Sequence, residues 1–405
     1  MPSTQYRVTT RQSSIAQLLN KQWIVPWGNP LSFSLLAKWL DIGIGGLPLR
    51  LTHRIYNKWY HHHHDSTDDK HREPYRLATC GNLRRWNEAK HKGKQRATEA
   101  KARKNPHKGI QSVLPALATP LCEDNKTILE ESVKKAIDMQ LEGGATGFYV
   151  MCCTGEGIAT ARAEREIMCE LAVKYNAGRG AIINHIASTD FNEAMELARH
   201  AERAGCDAIA AIPPVFLGYR PEELYEYYKK LASCVNIPLI VYYHPGAQPN
   251  MSAELIAKIF EVDNVTGVKW SSHNFLEMMK LKDLTKGEMN IINGPDELLC
   301  LGLMAGADGG IGTTYNIMTP EFVNIYNQFN SGDIAGARTT QFKVNRIIEL
   351  LIKSDLLPAT KHAMGLMGVE MGDARFPFKH LSQQEIATFE AELKRLGWTP
   401  DGKVL

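Results

Sequence analysis

From residue 109 to about 331 the chain alternates between two patterns of apolar residues. Short, nearly continuous apolar runs are the mark of strands buried on both faces of a parallel sheet; between them, apolar residues recur at helical spacing. The runs predict strands at 111–121 (QSVLPALATPL), 146–151 (TGFYVM), 181–187, 207–213, 237–243, 265–270 (VTGVKW), 289–294 and 308–314, the last rich in glycine. Helices are expected at 127–144, 163–175, 191–205, 221–232, 252–260, 275–283, 296–306 and 320–329. Eight strand–helix units in about 220 residues predict an α/β fold of the (β/α)8 TIM-barrel class. A doubly wound open sheet would need a glycine-rich turn after its first strand, and ATPLCED at 118–124 offers none.

Residues 332–405 contain no strand pattern. The stretch 332–353 is amphipathic, and 381–398 opens with the capping box Ser382…Glu385 and sets Ile386, Phe389, Leu393 and Leu396 on one face. This predicts a C-terminal helical segment packed on the barrel or on a neighbouring subunit. The division expected is therefore 1–108, 109–331 and 332–405.

Charge separates the first part from the rest. Residues 1–108 hold 20 Lys and Arg against 7 Asp and Glu, whereas 109–405 hold 27 against 37, so the overall charge of +3 conceals two opposed halves. The acidic remainder excludes a nucleic-acid surface on the barrel. The basic part has little periodicity, a run HHHHD at 61–65 and a basic tract at 90–108. It reads as a poorly structured, low-complexity extension or as the product of a start codon set too far upstream. The lack of acidic residues before Asp41 also matches an organelle transit peptide. GIGG at 43–46 lacks the strand and helix of a dinucleotide fingerprint. The longest apolar stretch, 30–49, is broken by Lys38 and Asp41, so no membrane span is predicted. The eight cysteines have no metal-site or disulfide-scaffold spacing and read as reduced, which points to the cytoplasm.

The candidate chemistry lies at the C-terminal ends of the strands, where such barrels place their sites. VTGVKW puts Lys269 inside an apolar run, and lysine is almost never buried without a partner. Lys269 shares strand parity with Val265 and Gly267, and Tyr242 shares it with Ile240, so both can point into the barrel. Apolar walls penalise an ammonium and favour a free amine, which attacks a ketone to form a Schiff base. A tyrosine on the next strand can then shuttle the protons. Against this stand two plainer assignments: Lys269 in an ion pair with Glu156 or Asp296 at the rim, and Tyr242 as a core aromatic.

The set CCTGE (152–156), VYYHP (241–245), GVKW (267–270), NGPDE (293–297) and GADGGIGTTYNIM (306–318) resembles the pyruvate-dependent class I aldolases that include N-acetylneuraminate lyase and dihydrodipicolinate synthase. The resemblance covers roughly 109–400. It implies a barrel with a C-terminal helical segment, usually as a homotetramer, with Lys269 as the Schiff-base lysine and Tyr242 as the proton shuttle. It also implies that Thr154, with Cys153 and Gly155, binds the pyruvate carboxylate. Ser271, Gly294, Asp296, Glu297, Ile311 and Thr313 fall at substrate-facing positions. NGPDE and GIGTTYNIM favour the sialic-acid lyase branch. Dihydrodipicolinate synthases carry an arginine five residues after the tyrosine, where this chain has Ala247. Two further departures are Cys153 at a hydroxyl position and Phe216 in place of a tyrosine that completes a relay at a neighbouring subunit, with Tyr219 three residues on.

The resemblance thus implies a carbon–carbon lyase cleaving N-acetylneuraminate to pyruvate and N-acetylmannosamine, a small-molecule 2-keto sugar acid as partner, and no metal or organic cofactor. The alternatives are an aldolase or dehydratase for another 2-keto-3-deoxy sugar acid, or a non-catalytic keto-acid-binding relative.

Overall fold

The computed structural model describes residues 110–405. The readings made for the basic extension and the boundary at 108 lie outside the described residues. Eight parallel strands alternate with helices: β1 Ser112–Pro115, α1 Glu130–Glu142, β2 Gly147–Val150, α2 Arg162–Asn176, β3 Ala181–His185, α3 Phe191–Ala204, β4 Ala208–Ala211, α4 Pro221–Ala232, β5 Leu239–Tyr243, α5 Ala253–Phe260, β6 Val265–Trp270, α6 Phe275–Leu284, β7 Asn290–Asn293, α7 Leu299–Met304, β8 Gly309–Gly312 and α8 Tyr315–Asn330. The strands run in the order β1-β8-β7-β6-β5-β4-β3-β2. A parallel bridge from Ala116 to Tyr149 joins the two ends, and the sheet becomes a (β/α)8 barrel. Among the described residues, no helix is long and apolar enough to cross a membrane.

Except for β6, the predicted strands are longer than those formed, most clearly the first. Residues 113–121 are all buried, so the apolar run is real, but the ladder ends at Pro115. Ala116 and Leu117 then serve the closing bridge, Pro120 has no N–H to donate, and Leu121 pairs with Ile128. The chain has turned over the mouth of the barrel. In α8 the main helix opens at Pro320, as expected, but an earlier turn from Tyr315 continues into it across a break at Met318 (φ −143°, ψ 31°).

Two apolar cores result. One lies between strands and helices; the other fills the barrel with Leu114, Tyr149, Ile183, Ile240, Tyr242, Ile292, Ile311 and their neighbours. Strand register extends the inner set, because Lys269 of β6 lies beside Tyr242 of β5 and Ile292 of β7. The C-terminal segment comprises α9 Ile334–Lys353, α10 Leu356–Leu366 and α11 Gln383–Arg395. The capping box at Ser382 and Glu385 is formed; Phe389 and Leu393 are buried, with Ile386 and Leu396 partly so. Helix α10 was not foreseen. Pro358 and Gly365 lie within it, and its buried set includes Thr360 and Lys361, so no apolar stripe announces it.

Candidate active site

Val265 and Val268 of β6 pack in the core between strands and helices, Val265 contrary to its expected parity with Lys269 because the β5–β6 register shifts at Leu239/Ile240. Lys269 is the residue beside Tyr242 and Ile292 of the inner core. Its side chain is 5% exposed. No carboxylate lies within ion-pair distance of it among the described residues: Glu156 pairs with Lys361, and Asp296 engages Thr314. The amine instead lies 4.3 Å from the centre of the Tyr242 ring and 4.9 Å from that of Tyr149. Two ring faces offer a cation attraction without a neutralising charge.

Tyr242, opposite Lys269 on β5, turns its hydroxyl to the mouth. It meets the Cys153 thiol at 3.8 Å and the Ser271 hydroxyl. Burial holds this phenol well above its ordinary range, helped by the nearby Cys153 and Cys152 thiols and opposed by the Ser271 hydrogen bond. Tyr242 is thus a neutral phenol at physiological pH.

The turn after β2 carries Cys153, Thr154 and Gly155. Cys153 is exposed and Thr154 is buried. The Thr154 hydroxyl reaches across the mouth to the Thr313 hydroxyl at 2.7 Å. Gly155 sits in a tight place: a Cβ there would lie 3.0 Å from the Met151 backbone. At Gly294 the same addition would fall 2.1 Å from the Ser271 Oγ, so this glycine gives the serine room to face the cavity.

Asp296 and Glu297 have unlike surroundings. Asp296 is 8% exposed, and its Oδ2 accepts from both the N–H and the hydroxyl of Thr314, each at 2.7 Å. Burial pushes its carboxyl up to about 7 against the pull of those bonds; Glu297 adds to the rise and Lys269 opposes it. Glu297 is more open and lies 3.3 Å from the His273 imidazole.

These residues converge on one cavity of about 240 Å³. Cys153, Thr154, Tyr242, Lys269, Ser271, Gly294, Asp296, Glu297, Ile311 and Thr313 line it, joined by His244, His273, Pro295 and Gly312. Of the substrate-facing positions expected from the sequence, Gly155 lies just behind this lining. Phe216 and Tyr219 are not part of it; Phe216 is 99% exposed in a left-handed conformation (φ 75°).

Sequence reading overlooked the floor of the site. Tyr149, His185 and Tyr242 stand mutually edge-on with ring centres 6.0–6.1 Å apart. His185 is fully buried and its Nε2 accepts from the Ile212 N–H at 3.2 Å. Burial, with the Arg165 and Lys269 charges adding to it, holds His185 well below its ordinary range and hence neutral. Of the rim histidines, His244 was read among the reactive residues at the end of β5 without a site role, and His273 was overlooked, although its place four residues after Lys269 was a usable signal.

Comparison with known proteins shows the family. The family model described as the dihydrodipicolinate synthetase family matches residues 109–396. The N-acetylneuraminate lyase of Citrobacter koseri is 31% identical over 295 residues, covering 71% of this chain and 98% of that protein. That of Rhizobium meliloti is 30% identical over 290 residues, covering 71% and 96%. The solved structure of the Proteus mirabilis N-acetylneuraminate lyase superposes with a TM-score of 0.68 at 27% identity, covering 72% of this chain and 99% of that one. By the extent of the family match and by these relatives, the chain belongs to the dihydrodipicolinate synthetase family.

Proposed function

We propose that this family member, a class I aldolase and carbon–carbon lyase, cleaves N-acetylneuraminate to pyruvate and N-acetylmannosamine through a Schiff base on Lys269. The observation that carries the reading is a buried lysine amine with no carboxylate partner among the described residues, set against the ring of a protonated tyrosine whose hydroxyl opens on the cavity.

The steps follow from those two groups. The Lys269 amine adds to the C2 ketone of the open-chain acid. Tyr242 gives its proton to the hydroxyl of the adduct, water leaves, and a protonated imine faces a phenolate. The phenolate takes the C4 hydroxyl proton. The C3–C4 bonding pair moves into the imine as an enamine, and the sugar leaves as an aldehyde. Tyr242 returns the proton to C3, and water releases pyruvate from Lys269. The imine is the electron sink throughout. Thr154, with neighbouring backbone N–H groups, holds the substrate carboxylate, and Thr313 anchors the Thr154 hydroxyl. Glu297, His273 and Ser271 face the hydroxyl-bearing tail.

A second reading, a shorter 2-keto-3-deoxy sugar acid, draws support from Asp296, whose carboxylate is already spent on Thr314. One experiment separates them. Incubation with pyruvate and borohydride should add a reduced pyruvate adduct at Lys269 and nowhere else, and Lys269→Ala should lose it together with cleavage. Adduct formation without cleavage of N-acetylneuraminate, but with cleavage of a shorter acid, favours the second reading. An adduct at another lysine removes the first.

A further inference from the structure

One buried charge cluster lies just behind the site and takes no part in the steps above. Glu156 directly follows Thr154 and Gly155. Its backbone is left-handed (φ 60°, ψ 22°), as is that of Met151 (φ 56°) at the start of the same turn. Residues other than glycine hold such conformations only where their surroundings over-determine them. Here the surroundings come largely from the C-terminal segment. The Glu156 Oε1 meets the Lys361 ammonium of α10 at 2.7 Å, with the two side chains 2% and 1% exposed. Its Oε2 accepts from the backbone N–H of Arg375. Lys361 also donates to the Asp373 carbonyl at 2.9 Å, and the Arg375 guanidinium meets Glu164 of α2 at 2.7 Å. From the barrel side, the Thr119 hydroxyl donates to the Gly155 carbonyl at 2.8 Å.

A buried ion pair is a poor source of net stability, because desolvation consumes most of its attraction. What it supplies is direction: one ammonium and one backbone N–H fix the carboxylate orientation, and that carboxylate belongs to the strained turn. The opposite wall is gripped in a similar way. From α9, Gln341 donates to the Asp296 carbonyl and Asn345 to the Glu297 carbonyl, each at 3.1 Å. The C-terminal helices thus hold both turns that line the mouth, α10 that of Thr154 and α9 that of Glu297.

We propose that Lys361 is a positioning residue: through Glu156 it sets the 151–157 turn so that the Thr154 hydroxyl and adjoining N–H groups meet the carboxylate of a 2-oxo acid. The inference rests on the Schiff-base reading for its ligand. It makes the C-terminal segment a determinant of affinity for the keto-acid head of the substrate.

The test uses the full chain, with pyruvate as the probe. Lys361→Met should raise the pyruvate concentration for half-maximal borohydride trapping by about tenfold or more, since misplacing a fixed contact by an ångström costs that much or more. Trapping at saturating pyruvate should remain, amide exchange across 151–160 should quicken, and Lys361→Arg should recover most of the affinity. A folded Lys361→Met with a lower melting temperature but a trapping curve within twofold of the parent overturns the proposal. If Lys361→Met does not fold, Glu156→Gln is judged by the same curve and the same limit. If the parent protein traps no pyruvate, the catalytic reading fails on its own. Amide exchange then decides the positioning claim: quickening in 151–160 supports it, and an unchanged rate overturns it.

Discussion

Replacing Asp296 by asparagine should change how stability depends on pH more than it changes stability at any one pH. The folded carboxyl keeps its proton up to about pH 7, while in the unfolded chain it titrates near its ordinary value of 3.8. Between those values the native state binds more protons than the unfolded state, so this group makes the protein less stable as pH rises. At about 1.4 kcal/mol per pH unit, the whole window costs about 4 kcal/mol, fully present above pH 7, and about 2.5 kcal/mol of it falls between pH 5 and 8. The amide of Asp296→Asn does not titrate. Its oxygen can still accept from the Thr314 N–H and hydroxyl, so the constant cost of the exchange is about one hydrogen bond, about 1 kcal/mol. The variant should therefore gain on the parent by about 2.5 kcal/mol from pH 5 to pH 8. At about 2 °C per kcal/mol for a domain of this size, the gap between their melting temperatures should move by about 5 °C. Thermal unfolding of both proteins at matched concentration and half-unit pH steps reads this directly. A gap constant to within about 1 °C would show that Asp296 is ionised in the fold and that its two Thr314 bonds outweigh its burial.

Tyr242→Phe should lower kcat for cleavage by about 10²- to 10⁴-fold, the usual worth of a positioned acid–base group, and slow pyruvate trapping without abolishing it. An unchanged kcat would move the shuttle to Ser271 or Cys153. Cys153 is exposed beside the Tyr242 hydroxyl, so iodoacetamide should inactivate the enzyme, with pyruvate protecting it. Cys153→Ser should stay active and become resistant, and inactivation of that variant at the parent rate would place the sensitive thiol elsewhere.

How much of this was legible in the sequence depended on whether a residue contradicted its local pattern. Lys269 did: a cation within VTGVKW has no place in a doubly buried strand unless it works there, and β6 forms over the predicted residues. Tyr149 and His185 did not. A strand buried on both faces shows no alternation, so nothing in TGFYVM or AIINHIA tells which residues enter the barrel and which meet the helices. The inner ring of aromatics came from strand register alone. Lys361 was hidden for another reason. In LLPATKHAMGL a lysine looks like any surface lysine, and its partner Glu156 lies on the far side of the barrel sequence. Asp296 was read as one of a pair with Glu297, but the chain turns between them and gives one to Thr314 and the other to the rim.

The same placement accounts for the electrostatics of the site. An anion beside Lys269 would stabilise the ammonium, which cannot attack a carbonyl. The two carboxylates that sequence offered as partners are both withheld. Glu156 is bound by Lys361 behind the turn, and the Asp296 carboxyl is buried and kept protonated up to about pH 7. Rings fill the space that a carboxylate would take: the Lys269 amine lies over Tyr149 and Tyr242. His185, held neutral beneath them, adds no competing charge. On the Schiff-base reading, the protonated imine would carry a positive charge until the enamine forms, and the Tyr242 phenolate produced in the same step would lie against it. On that reading the described residues give the resting lysine no carboxylate partner, and the Tyr242 phenol would supply a counter-charge only to the intermediate, the order a Schiff-base mechanism requires.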